Sequence, residues 1–200
     1  QAQVGTVAET LDDSGCKFCT ACVAVCPTGA LVDKSAAPAT READRVPCTA
    51  ACPVHIDVPG YLRMCAAGKR DEAHAIIREK VPFAGVLGRV CTHPCEAVCR
   101  RGKINDAIAI CALKRYAADG EKGLLKKQHQ IETDSGKKVA VVGAGPAGLT
   151  AAFYLRKKGH AVAVFDANPA AGGMLRYGIP QYRLPRNILD LEIADILDIG

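Results

Sequence analysis

Two hundred residues (21.0 kDa) carry 26 Lys and Arg against 21 Asp and Glu, a net charge of +5, with 49% apolar and 4% aromatic residues. That is an ordinary composition for a soluble globular chain of one large or several small domains. It leaves no apolar run of the ~18 residues that a membrane span needs, and no basic block interleaved with aromatics that would point to nucleic acid. The outlier is cysteine: 11 residues, all between Cys16 and Cys111, odd in number and mostly in tight groups. That pattern speaks for metal ligation over a disulfide framework, and for a reducing, cytoplasmic compartment. The chain opens on Gln1 with no signal peptide in view, which reads as a processed, trimmed or partial chain.

Three blocks separate on composition: residues 1–35, 41–120 and 137–200. Ala36-Ala37-Pro38-Ala39-Thr40 links the first two, and the polar stretch from Glu121 to Lys138 links the second to the third. The first block holds Cys16-x2-Cys19-x2-Cys22-x3-Cys26-Pro27. Two-residue spacers let a tight loop present three thiolates to three corners of an iron–sulfur cubane, while the fourth cysteine reaches a second cluster. Backbone N–H groups of such a loop also offset the cluster's negative charge. A zinc site or a redox dithiol is the alternative, and Pro27 directly after Cys26 favours iron–sulfur. From Val4-Gly5-Thr6 to Thr28-Gly29-Ala30-Leu31 the block resembles the second half of a two-cluster ferredoxin domain. The cysteine run of the first half is absent. Cys26 therefore completes its own cluster, or another segment or chain supplies the missing ligands.

The second block reads as helical. Pro59 sits in the first turn of a helix through Tyr61, Leu62 and Met64 that ends near Gly68. Asp71 is the expected N-cap of the next, with Ala75, Ile76 and Ile77 on its apolar side, and Asp106 that of a third ending at Gly120. Cys48-x3-Cys52-Pro53 and Cys91-x3-Cys95-x3-Cys99 lie in this block. A helix beginning at Pro94 places Cys95 and Cys99 one turn apart on one face, with Cys91 in the loop before it.

A family resemblance rests on Arg45-Val46-Pro47-Cys48 through Cys52-Pro53, Ile56-Asp57-Val58-Pro59-Gly60-Tyr61 and Gly88-Arg89-Val90-Cys91. It continues through Pro94-Cys95-Glu96, Cys99-Arg100-Arg101-Gly102, Ile108 and Leu113-Lys114-Arg115-Tyr116. These resemble the N-terminal helical iron–sulfur domain of the glutamate synthase small subunit and dihydropyrimidine dehydrogenase. The resemblance implies two [4Fe-4S] clusters that exchange electrons with an FAD. By position it implies Cys52, Cys91 and Cys95 on one cluster, with a fourth ligand from the helix containing Leu113-Lys114. Cys111, one turn before Lys114, is the candidate, against a buried structural cysteine. Cys48 and Cys99 would belong to the other cluster, for which the family has two further cysteines shortly before the position of Cys48. Thr40 to Arg45 hold none, so that cluster is lost or completed from elsewhere. Cys65 reads as core. Two clusters are expected in the whole chain, and three are allowed.

The third block reads as strand, glycine turn, helix and strand: Val139-Ala140-Val141-Val142, Gly143-Ala144-Gly145-Pro146-Ala147-Gly148, a helix from Leu149 to Lys158, then Ala161 to Phe165 closed by Asp166. Gly143 makes the tight turn, Gly145 admits a pyrophosphate, Gly148 lets helix and strand pack, and Asp166 takes a ribose hydroxyl. The helix N-terminus faces the phosphate charge. FAD or a nicotinamide nucleotide can use such a turn. Pro146-Ala147-Gly148 and the stretch from Pro169 through Gly172-Gly173-Met174-Leu175 resemble the flavin version, as does Gly178-Ile179-Pro180-x-Tyr182-Arg183-Leu184-Pro185. Gly173 and Leu175 thereby join the flavin contacts. A helical run from Asn187 to Ile199 follows. Two strands are fewer than a dinucleotide fold needs, so this block is expected to be part of a longer chain or a remnant packed on a partner.

The expected fold is α+β multi-domain: a ferredoxin-like cluster loop, a helical iron–sulfur domain and a partial Rossmann-type α/β FAD-binding unit. The expected function is electron transfer between NAD(P)H, FAD and [4Fe-4S] clusters within a hetero-oligomer of redox subunits, NAD(P)H being bound by a missing or partner region. The alternative is a non-catalytic electron relay in a larger reductase, hydrogenase or formate dehydrogenase complex, its glycine turn vestigial. A zinc-binding structural module is the third reading. No catalytic triad or paired acids emerge. Of the five histidines, all read as structural or solvated, His93 is the nearest to a cluster.

Overall fold

A computed structural model describes residues 46–120 and 130–200, with Asp13 and Cys22. The expectations for Cys16, Cys19 and Cys26, and for the linker 36–40, lie outside the described residues. Cys22 is exposed.

Residues 46–120 form a helical unit: α1 (Pro47–Ala50), α2 (Val58–Ala66), α3 (Arg70–Arg78), α4 (Ala84–Val90), α5 (Pro94–Ala97), a 3-10 turn (Arg100–Lys103) and α6 (Ile110–Asp119). Asp57 starts α2 by accepting the Gly60 N–H at 3.0 Å. Apolar faces of α2, α3 and α6 meet in a core of Ile56, Val58, Tyr61, Ala73, Ile77, Ile110 and Ala117, with Cys95 among them. The buried Tyr61 hydroxyl donates to the Ile110 carbonyl at 3.0 Å and ties α2 to the start of α6.

Two expected caps are displaced. Asp71 lies in the first turn of α3 rather than at its N-cap, which is Lys69. A carboxylate there still complements the helix dipole. Asp106 does not start α6, whose N-cap is Ala109. Instead Glu96 of α5 accepts the N–H of Cys111, in the first turn, at 2.8 Å. A tertiary neighbour thus performs the capping that the local aspartate was expected to perform. The Pro94 helix is also shorter than expected. It ends at Ala97, and Cys99 precedes the 3-10 turn, so Cys95 and Cys99 do not share a helix face.

The third block contains β1 (Lys138–Val142), α7 (Pro146–Lys157), β2 (Ala161–Phe165), α8 (Met174–Tyr177) and α9 (Arg186–Leu197). The strands pair in parallel, Val139 opposite Val162 and Val142 opposite Phe165. α7 begins at Pro146, three residues before the expected Leu149, because proline is at home in a first turn. The stretch before β1, expected as solvated linker, is partly anchored: Glu132 N–H donates to Lys157 O at 2.8 Å and Ser135 N–H to Gly159 O at 3.0 Å. Lys138 opens β1 rather than ending a linker.

A second core joins the two units. Leu189, Ile193 and Ile196 of α9 pack with Leu149 and Phe153 of α7 and with Phe83 and Val86 at the start of α4. Each such apolar side chain contributes about 1.5–3 kcal/mol. Polar side chains of α9 enter the same seam. Asp195 pairs with Arg78, both nearly fully buried. Glu192 accepts the N–H groups of Gly85 (2.5 Å) and Val86 (2.9 Å) at the first turn of α4.

Burial pushes the Glu192 carboxyl up to about 7, against the pull of those two N–H groups and of Arg78 and His74 on α3. The unfolded chain releases this proton near the ordinary 4.5. Between the two values the folded state holds the extra proton, so stability falls as pH rises from about 4.5 to about 7 and is level above. The expected loss is about 3 kcal/mol. Urea unfolding across that range should show this slope in the wild type and its disappearance in Glu192→Gln. Parallel slopes in the two proteins would refute it.

Candidate electron-transfer site

The cysteines of the helical unit sort into two neighbourhoods. The thiol of Cys95 is buried at the start of α5 and is pushed up to about 11, first by burial. It also feels the charges of Cys91 and Cys52. Cys111, on α6, feels Cys91 as well, and burial raises it too. Its thiol lies 3.6 Å from the carbonyls of both Leu87 and Gly88, in the last turn of α4 that leads into Cys91. Cys95 thus shares an electrostatic neighbourhood with Cys52 and Cys91, and Cys111 shares one with Cys91, where α4, α5 and α6 meet. Cys48 is raised by burial and feels Cys99. Cys65 stands apart, its thiol donating to the Leu113 carbonyl at 3.8 Å.

Local backbone bends serve the first region. Among the described residues the non-glycine positions with positive φ are His55 (50°) and His93 (44°). One follows Cys52 by three residues and the other lies between Cys91 and Cys95. Such conformations cost of order 1–3 kcal/mol and persist where the surroundings enforce them. The His93 N–H donates to the Cys91 sulfur at 3.3 Å, and its ring nitrogen lies 3.1 Å from Glu96.

Among the described residues no three His, Cys, Asp or Glu side chains converge to hold a single metal ion. A cubane binds each thiolate to a different iron, so its ligands stand further apart than those of one ion. Four buried or half-buried thiols without disulfide partners, two in loops and two on helices, suit that wider group and not a compact zinc site. The donor set fits a [4Fe-4S] cluster.

The glycine turn separates structural from open positions. Gly143 has φ 104°, a conformation that side chains resist, and turns the chain from β1 toward α7. A Cβ at Gly148 would overlap the Gly143 carbonyl oxygen, so its hydrogen lets helix and strand close. Gly145 differs. Its backbone is extended (φ −80°, ψ −178°), and a Cβ there would meet only the Gly173 Cα, at 3.9 Å. The protein's own packing does not require glycine at 145. The space a side chain would fill lies between the turn and Gly173, in front of the first turn of α7. That turn has no side-chain cap, so its N–H groups suit a phosphate. Pro146 and Ala147 form it, and Leu175 packs against the second core behind it. The nucleotide phosphate fits these residues.

Asp166 stands at the expected end of β2. Here its carboxylate accepts the N–H groups of Asn168 (2.7 Å) and Ala144 (2.6 Å), which hold it below the usual carboxylate range. It braces the glycine turn. At the same end of the sheet Val142 (89% exposed) and Phe165 (58%) are uncovered. Glu96, Lys114 and Glu192 were missed by sequence reasoning. Lys114 carried a signal, since it sits on the apolar stripe of α6.

A cysteine-rich helical unit thus packs on a strand–turn–helix unit of the nucleotide-binding type. Residues 32–124 match the family described as dihydropyrimidine dehydrogenase domain II, 4Fe-4S cluster. Residues 9–32 match a 4Fe-4S binding domain, and 141–191 an NAD(P)-binding Rossmann-like domain. Relatives include the NADP(+)-dependent formate dehydrogenase subunit beta of Moorella thermoacetica, 45% identical over 77% of this chain and 25% of that protein. The NADPH-Fe(3+) oxidoreductase subunit beta of Geobacter sulfurreducens is 43% identical over 77% of this chain and 23% of its own length. The NAD-dependent dihydropyrimidine dehydrogenase subunit PreT of Salmonella typhimurium is 37% identical over 81% and 41%. The chain thus spans between about a quarter and two fifths of these relatives. Among the described residues no helix is long and apolar enough to cross a membrane.

Proposed function

We propose that this chain is the electron-transfer segment of an NAD(P)H-linked iron–sulfur flavoprotein, working with further redox subunits in a reducing, cytoplasmic compartment. When bound, FAD exchanges an electron pair with a nicotinamide and single electrons with [4Fe-4S] clusters. Cys52, Cys91, Cys95 and Cys111 would hold one cluster. Cys48 and Cys99 would contribute to a second, and Cys16, Cys19, Cys22 and Cys26 to a third site. Gly145, Ala147 and Gly148 would present N–H groups and open space to the FAD pyrophosphate, Gly143 and Pro146 would shape the turn that holds it, and Gly173 and Leu175 would lie beside it. Asp166 would exchange its hold on Ala144 for a ribose hydroxyl. Domain limits of 1–35, 41–120 and 137–200 accompany this reading.

The observation that carries it is the packing of the two units on a shared core, which fixes α4, and with it Cys91, against the nucleotide unit. Electron transfer needs such a constant separation between donor and acceptor. A second reading, a cluster relay with a vestigial nucleotide unit, draws on the exposed Val142 and Phe165 beside the glycine turn.

Acid-released flavin on protein purified without oxygen discriminates the two. About one FAD per chain, lost in Gly145→Val while the melting temperature holds, supports the flavoprotein. No flavin, with the brown iron–sulfur absorbance retained, favours the relay.

A further inference from the structure

The core-facing stripe of α6 is Ile110, Lys114 and Ala117, at the i, i+4, i+7 spacing of a buried helix face. A lysine in the middle position is unexpected. Lys114 is only 7% exposed, and among the described residues no carboxylate forms an ion pair with it. It lies one turn beyond Cys111 on the same helix. Its positive charge acts on both Cys95 and Cys111, pulling their thiols down against burial. Glu96, an acid acting on the same thiols, is committed to the Cys111 N–H and to His93.

A buried ammonium without an anion is costly, and buried charges are normally paired. Among the described residues no side chain supplies the pair. Four thiolates around an iron–sulfur cubane do, because that assembly carries a net negative charge that grows on reduction. We propose that Lys114 is the buried counter-charge of the cluster held by Cys52, Cys91, Cys95 and Cys111, and that it raises the reduction potential of that cluster. On reduction one electron enters the cluster. No bond to Lys114 forms or breaks. The added negative charge is stabilised by the fixed positive charge beside it, so the reduced state gains more than the oxidised state. This inference rests on the ligand assignment proposed above.

The test is an EPR-monitored redox titration of the full chain, with dithionite as reductant, on wild type, Lys114→Met and Lys114→Arg. Lys114→Met should shift the redox equilibrium of one cluster at least tenfold toward the oxidised form, about 59 mV for a one-electron couple. Lys114→Arg should stay within a few-fold of wild type, and signals of the other clusters should not move. Should Lys114→Met lose its cluster, Lys114→Gln is read in its place. An unmoved potential in a neutral variant with full iron content overturns the proposal, as does an arginine variant that shifts like methionine. Iron and labile sulfide in Cys95→Ala test the ligand assignment separately. Undiminished iron there overturns the assignment, whatever Lys114 does.

Discussion

Cys95→Ala should release one cluster, about four irons per chain, and lower the melting temperature of the helical unit by roughly 10 °C or more. Cys95 is the buried cysteine of the unit and sits in its core with Tyr61, Ile77 and Ile110. It is also the thiol that feels both Cys91 and Cys52. Removing it takes away a ligand and leaves a space in the core at once. Metal binding and folding are coupled where ligands come from separate elements, and here they would come from the turn after α1, the loop after α4, α5 and α6. A loss of ~2 kcal/mol already moves a midpoint by roughly 10 °C in a unit of this size. The control is Cys65→Ala. Cys65 packs against the same core but bonds only the Leu113 carbonyl, so this variant should keep full iron and lose about 1 kcal/mol. Equal iron loss in both variants would contradict the assignment.

Gly148→Ala should disrupt the strand–turn–helix unit itself. The added methyl would overlap the Gly143 carbonyl oxygen and come within 3.3 Å of Val141. Neither neighbour can move without opening the turn, because the Gly143 N–H is bonded to the Phe165 carbonyl at 2.6 Å. Overpacking against backbone costs about 3 kcal/mol or more. The variant should unfold at lower urea and lose nucleotide binding together. Gly145→Val should lose binding alone, since no backbone atom other than the Gly173 Cα lies near its Cβ. The pair separates a glycine needed by the chain from one needed by a ligand. Equal stability loss in the two variants would argue against the open space as a phosphate site.

Much of this arrangement is legible in the residues. The β1–turn–α7–β2 order follows from two short valine-rich runs around a glycine turn, and the parallel pairing follows from the intervening helix. The grouping of Cys52, Cys91 and Cys95 is what the family resemblance implies, and spacing does not give it. Spacing alone misled at Cys99, where a four-residue helix ends before the expected turn is complete. It misled again at Asp106, because local cap signals cannot anticipate that Glu96 will reach the first turn of α6.

The sequence by itself determined the chemistry available: soft thiolates in clusters, a glycine turn between strand and helix, and an acid at the end of the second strand. Ligand type and turn geometry are local properties, set by side-chain chemistry and by short stretches of backbone. Only the tertiary structure decided which cysteines face one another, where Lys114 places its charge, and that α9 carries Glu192 and Asp195 into the seam with α3 and α4. These depend on packing between residues up to 117 positions apart. The free energy of burying a charge is set by what surrounds it, and no stretch of sequence contains its own surroundings.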